Sequence, residues 1–373
     1  MAYLVDAFGL LLLAVGLLVA YRIAPDRPGT PPAGWFPDPA YAKARSRRWD
    51  ERAWTAQTQP GDVAADRGRW FRGRFWGRWA WIALAALVVL GLGVVAYRAS
   101  ESTGVIAVVS FLAMTGVCWA FYRFVARQLA LDDVIGLGQV AAVAAAVGGA
   151  TLVLAANINS WLIDAAGTGL ATKTVGFVEE GTKLLVPLAL FALGKYRDPR
   201  AGIAIGLAAG FGFAIAETTQ YAFATANASG PDFCGDDTAT PTVNSVVAAQ
   251  ITRIFTVSPL HWFWTGIAAA IAWRLWHLYA DQKGIGRKGL WGGIAAIAMV
   301  MVIHSLNDTS ATLGCGKPSV TLLLQLGRWI LFIAMYLLFR AMARKSTPPQ
   351  LVGRVSRGWT PHRLPTRNRP YAE

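Results

Sequence analysis

Nine apolar runs of about 20 residues decide which solvent this chain can fold in. They fall at 3–24, 79–97, 105–122, 134–156, 171–193, 201–223, 254–276, 289–306 and 319–340. A helix rises 1.5 Å per residue, so about 20 apolar residues cross a hydrocarbon core of roughly 30 Å. Backbone N–H and C=O groups find no water there, and a helix satisfies them internally. The expected fold is all-α, a polytopic transmembrane helix bundle of about nine spans, with eight to ten compatible with the soft boundaries. Composition agrees, because 55% hydrophobic and 15% charged residues is too apolar a balance for a soluble domain of this length. The first run reads as a retained helix, since Met1–Asp6 carries an acid where a basic leader segment belongs.

The formal charge of +14 raises the question of where the 35 Lys and Arg lie. With Met1 outside, segments 21–78, 123–133, 194–200, 274–288 and 340–373 face the cytoplasm and hold 29 of them. Arg98, Lys173, Arg253 and Lys317 stay outside, and Lys183 and Arg328 fall within runs. That asymmetry is the positive-inside pattern of a multi-pass plasma-membrane protein with a cytoplasmic C-terminal tail. Charge spread over five loops gives no basic face for nucleic acid, so anionic lipid head groups are the expected surface partner. The organisation read from these features is a first helix (1–24), then a basic interfacial linker rich in Pro, Arg and Trp (25–78). Two more helices (79–133), a core of about six helices (134–340) and a disordered basic tail (341–373) follow. Of the three cysteines, Cys118 lies in an apolar run as a small buried hydrophobe. Cys234 and Cys315 fall in two loops assigned to the oxidising side and are disulfide candidates.

Ionisable side chains inside spans cost about 2.5–3.5 kcal/mol each to insert and are functional candidates by default. Glu179, Glu180 and Lys183 occupy the fifth run, Glu217 the sixth and His261 the seventh. His304 lies on the eighth, with Asn307 and Asp308 at its outer end, and Arg328 lies on the ninth with Gln325 one turn before it. Counted from the outer ends, Glu179, Glu217, His261 and His304 lie within about 12 Å of the exterior, so one cavity in the outer half can hold them. Lys183 reaches either glutamate, at i+4 or i+3. The two glutamates diverge by about 100°, which separates a cavity-facing base from a partner held against Lys183. Gly202, Gly206 and Gly210 form one small-residue face on the sixth run, and Phe213 and Glu217 share it. Asp308 or Asn307 is placed to orient His304. Arg253 is expected at the outer mouth of the seventh run, where it and Arg328 can pair with glutamates or bind a substrate carbonyl. Two mechanisms suit this set. One is a divalent metal such as zinc held by Glu179, His261 and His304. The other is a metal-free site in which Glu179 activates water and the histidines stabilise an oxyanion. The rival class is a proton-coupled transporter or channel, since the same Glu/His cluster can relay protons.

Taken in order, Glu179-Glu180-x-x-Lys183, Phe213-x-x-x-Glu217, His261 and His304-x-x-x-Asp308, each on its own helix, resemble the PrsW family of intramembrane proteases. That family is related to the CAAX prenyl proteases and bacteriocin-processing enzymes, and the resemblance covers roughly 134–340. It implies a peptidase in which Glu179 activates water, Glu180 and Lys183 support it, and Glu217, His261 and His304 complete the site. Asp308 would steady His304. Glu217 stands where CAAX-type relatives have His, which favours the PrsW branch. The implied substrate is a membrane-spanning or membrane-associated protein or peptide, cut near the outer leaflet. Members are customarily called metalloproteases.

Overall fold

The computed structural model describes residues 2–24, 33–37, 45–50, 54–60, 78–129, 131, 134–196, 200–227, 241–276 and 287–346. Its helices are α1 (Ala2–Arg22), α2 (Arg78–Ser100), α3 (Thr103–Leu129), α4 (Leu137–Ala150), α5 (Ala156–Ala192) and α6 (Ala201–Ala226). They continue with α7 (Val243–Thr252), α8 (Ser258–Trp276), α9 (Arg287–Ala311) and α10 (Pro318–Ser346). A π-helical turn at Thr151–Ala155 joins α4 to α5, and another at Arg253–Val257 joins α7 to α8.

Among the described residues, eight helical stretches are long and apolar enough to cross a membrane. The stretch Leu137–Ala192 runs 56 residues, about twice what one crossing needs. It is a hairpin. Gly167 departs from helical geometry at φ 79° and ψ 163°, a region open in practice only to glycine. Asn159 Nδ2 donates to Glu179 Oε1 at 3.3 Å across 20 residues, a separation that a straight helix would stretch to about 30 Å. The chain therefore doubles back at Gly167, and the eight stretches make nine passes.

One boundary differs from the sequence expectation in a way that matters. The seventh crossing starts at Val243, eleven residues before the expected 254. Thr242 caps α7 by accepting from the Ser245 backbone N–H at 3.1 Å while Ser245 Oγ accepts from the Thr242 N–H at 2.9 Å, the reciprocal arrangement that starts a helix firmly. Arg253 consequently lies within the continuous helical stretch Val243–Trp276 rather than at the start of a helix. Pro259 explains the π turn there. It has no N–H for the carbonyl of Phe255, and the Ser258 N–H reaches back five residues to the Arg253 carbonyl.

The segment 25–78, expected as a basic interfacial linker, holds a small antiparallel sheet of β1 (Gly34–Pro37), β2 (Arg45–Trp49) and β3 (Trp54–Pro60). Trp35 opposes Arg48, Phe36 opposes Arg47, and Trp49 opposes Trp54. Aromatic residues favour strands. The bundle itself is all-α, as expected. Residues 347–373 lie outside the described residues.

Glycines set the helix approaches that build the core. On α6, a Cβ at Gly202 would strike Trp273, one at Gly206 would strike Gly266 and Thr265, and one at Gly210 would strike the backbone of His261 and Trp262. The Gly202, Gly206, Gly210 face therefore lies against α8, close enough to bring backbones together. Gly212 meets Ala144 on α4, and Gly9 of α1 meets Gly149 of α4. Behind α8, Phe121, Phe211, Trp262, Phe263 and Phe332 form an aromatic cluster from α3, α6, α8 and α10, with Phe121 and Trp262 centroids 4.6 Å apart. At the other end, Tyr196 donates from its hydroxyl to the Ala20 carbonyl at 2.7 Å and accepts at its own carbonyl from Trp273 Nε1 at 2.8 Å. Burial pushes that phenol up to about 12, so it stays a donor throughout the physiological range.

Cys315 is disulfide-bonded and Cys118 is free and buried. Cys234, the third cysteine of the chain, lies outside the described residues.

Candidate active site

The site is assembled by α5, α6, α8 and α9, with α7 and α10 closing its margin. Gly176 lets α5 sit directly on α9, because a Cβ there would collide with the Met301 carbonyl and Ser305. The Gly176 N–H donates to Ser305 Oγ at 2.9 Å, and this contact sets the register that brings Glu179 and Glu180 opposite His304. Behind Lys183, Pro187 denies the Lys183 carbonyl its helical N–H partner.

Glu180 is the hub and is fully buried. Its Oε1 accepts from Lys183 Nζ at 2.6 Å and lies 3.0 Å from His304 Nδ1, and its Oε2 accepts from Thr265 Oγ1 at 2.8 Å. Both oxygens of this buried carboxylate thus have partners, supplied by α5, α8 and α9. Lys183, also fully buried, lies 3.0 Å from His261 Nδ1, 3.6 Å from Glu179 Oε2 and 3.6 Å from the centroid of the Phe213 ring. The ammonium is stabilised by two carboxylates and by a ring face.

Glu179 differs from its neighbour. Asn159 holds Oε1, while Oε2 is buried without a hydrogen-bond partner. His261 Nε2 and His304 Nε2 are likewise buried and unpartnered. His304 Nε2 lies 3.3 Å from Glu179 Oε2, and His261 Nε2 lies 3.3 Å from Glu217 Oε2. Arg253 places a guanidinium nitrogen 2.7 Å from the same Glu217 oxygen and covers the Tyr221 ring at 3.6 Å. Buried polar atoms are nearly always satisfied in proteins. Several unsatisfied ones converging from four helices mark a place built to receive polar groups.

The outer residues form a second chain. Asn307 Nδ2 donates to Asp308 Oδ1 at 2.9 Å, and Arg328 Nε donates to Asn307 Oδ1 at 3.1 Å. Arg328 therefore pairs with an amide rather than a glutamate. Asp308 Oδ2 stands 3.7 Å from His304 Nε2, and Asn307 is occupied elsewhere. The group at His304 Nδ1 is Glu180, not Asp308 or Asn307, because α5 lies closer to that edge of the ring than the side chains of α9 itself. Trp264 stacks on the His304 ring, with centroids 4.0 Å apart and planes 20° from parallel. His277 and His362, not singled out as site residues, lie outside the described residues.

Three contributors went unread in the sequence. Asn159, Thr265 and Trp264 are common residue types with no telling spacing, and their roles arise from the fold-back at Gly167 and from the face that α8 turns toward α5 and α9.

One donor atom each from Glu179, His261 and His304 lies within 4.8 Å of the others, so by distance the three could hold a metal ion. Their hydrogen-bond surroundings divide the set. His304 has a carboxylate at each edge, Glu180 Oε1 3.0 Å from Nδ1 and Glu179 Oε2 3.3 Å from Nε2. His261 Nδ1 faces an ammonium that has no lone pair, so Nδ1 accepts and Nε2 carries the hydrogen. With the hydrogen there, His261 would offer a metal no lone pair at Nε2.

Fold and site together define a multi-pass membrane protein with carboxylates and imidazoles of four helices gathered at one buried point. The model of a family described as PrsW family intramembrane metalloprotease matches residues 127–342, more than half of the 373-residue chain. The protein belongs to that family, and the family is one of membrane-embedded peptidases acting on protein substrates. No curated protein and no solved structure matches the chain.

Proposed function

We propose that the protein is an intramembrane endopeptidase that hydrolyses a peptide bond of a membrane-spanning protein near the outer leaflet, using water activated by Glu179. The observation that carries this reading is the set of unpartnered buried atoms, Glu179 Oε2, His261 Nε2 and His304 Nε2, facing one another between helices. A water there has an acceptor for its proton in Glu179 Oε2, with His304 Nε2 beside it at 3.3 Å. Glu179 takes the proton as the water oxygen bonds to the scissile carbonyl carbon. Negative charge then develops on the carbonyl oxygen, and His261 Nε2–H is the donor placed to meet it. As the C–N bond breaks, Glu179 returns the proton to the leaving amine, so it ends as it began. Glu217, neutralised by Arg253, gives His261 Nε2–H a resting neighbour until substrate arrives. None of these steps uses a metal.

The charge asymmetry supports a plasma-membrane location with the N-terminus outside, the tail cytoplasmic and the basic loops against anionic lipid. The test is to compare new protein N-termini in membranes carrying the wild type or Glu179→Gln. Fragments of single-span proteins cut near their outer ends are expected only with the wild type. Identical fragments in both would remove the peptidase assignment from this site. Loss of a proton-coupled flux, with no fragments in either, would replace it by transport.

A further inference from the structure

The mechanism above treats two histidines of one cavity, yet their surroundings are opposite in hydrogen-bond polarity. His304 Nδ1 meets Glu180 Oε1 at 3.0 Å, whereas His261 Nδ1 meets Lys183 Nζ at 3.0 Å. On the far edges, His261 Nε2 has the Glu217 carboxylate at 3.3 Å, so both edges of that ring call for the same state, acceptor at Nδ1 and donor at Nε2. We infer that Lys183 is a positioning residue that holds His261 in the Nε2–H tautomer, whereas His304 has a carboxylate at each edge, Glu180 Oε1 at Nδ1 and Glu179 Oε2 3.3 Å from Nε2, and no cation that fixes its tautomer. The inference rests on the proposed peptidase site.

The arrangement is economical in its parts. Glu180 Oε1 lies within hydrogen-bond reach of both Lys183 and His304, so one carboxylate oxygen anchors the groups that orient the two rings. The three ammonium hydrogens of Lys183 have matching acceptors in Glu180 Oε1, His261 Nδ1 and the Phe213 ring face, and none is left for substrate. Its role passes through His261. The disagreement with a three-ligand metal follows directly, because a ligating His261 Nε2 would need Nδ1 to donate, and a donor already faces it.

The experiment is nitrogen NMR of the full-length, histidine-labelled protein in detergent. The chain has four histidines, and signals are assigned by replacing each in turn. Ring-nitrogen shifts distinguish N–H from lone-pair nitrogens. In the wild type, His261 is expected to show Nε2–H, and to keep that hydrogen when one equivalent of zinc is added. Lys183→Arg should preserve the His261 pattern, and Lys183→Met should shift it toward Nδ1–H or a mixture. An Nδ1–H His261 in the wild type, loss of its Nε2 hydrogen to zinc, or an unchanged pattern in Lys183→Met would overturn the proposal. If Lys183→Met does not fold, the wild-type and zinc spectra still decide. The readout does not depend on cleavage, so an inactive site and a wrong tautomer assignment give different results.

Discussion

Thr265 supplies Glu180 Oε2 with its one hydrogen bond among the described residues, at 2.8 Å, while Lys183 and His304 share Oε1. Valine at this position keeps the shape and removes the donor. A buried polar group left unsatisfied costs about 1–3 kcal/mol, and here the orphan is the anchor of both histidines. Thr265→Val is predicted to lower the thermal midpoint in detergent and to slow cleavage, with Thr265→Ser retaining both. Unchanged behaviour in the valine variant would show that Glu180 does not need this bond. Asn159 is the counterpart at Glu179, and Asn159→Leu is predicted to reduce turnover more than substrate affinity, measured as a fall in kcat with KM little changed. The charged members of the site were legible in the sequence because ions are conspicuous in apolar runs. Thr265 and Asn159 were not, since a single neutral polar residue is cheap in a helix and only the fold supplies its partner.

Helix contacts decide whether those residues meet at all. A Cβ at Gly176 would run into the Met301 carbonyl and Ser305 on α9, whereas one at Gly292, on α9 itself, would meet nothing within 4 Å. Gly176→Val is therefore predicted to push α5 from α9, at a cost of about 1–3 kcal/mol, and to abolish cleavage by parting Glu179 from His304. Gly292→Ala should leave cleavage intact and hold or slightly raise the unfolding temperature, since alanine favours a helix over glycine by about 0.5–1 kcal/mol where its Cβ meets open space. The Gly202, Gly206, Gly210 face was readable from its spacing. The Gly176 contact was not, because its close approach is a single point with no repeat to announce it. The early start of the seventh crossing escaped for a related reason: the polar residues Asn244, Ser245, Gln250 and Thr252 dilute the apolar signal of α7, and the Thr242 cap had to be seen to place it.

Over the whole molecule, the nine apolar runs carried the helical architecture, and the sheet at 34–60 did not show because prolines and arginines interrupt its alternation. Helix α1 lies outside the family match yet closes against α4 at Gly9 and Gly149 and ties its end to Tyr196. The molecule thus extends the family's region with a helix packed into the same core. On the outer side expected from the charge pattern, we assign the partner of the bonded Cys315 as Cys234. Replacing Cys234 with Ser is predicted to expose Cys315 to a membrane-impermeant thiol reagent without reductant, and labelling of Cys315 before that change would refute the pairing. The central claim is that Glu179 activates water for peptide hydrolysis, and purified protein in liposomes with one cleaved single-span substrate tests it most directly. Single-turnover rates for the wild type and Glu179→Gln should differ by about 10²–10⁴-fold, the usual weight of a general base, with substrate still bound. Equal rates would contradict the account.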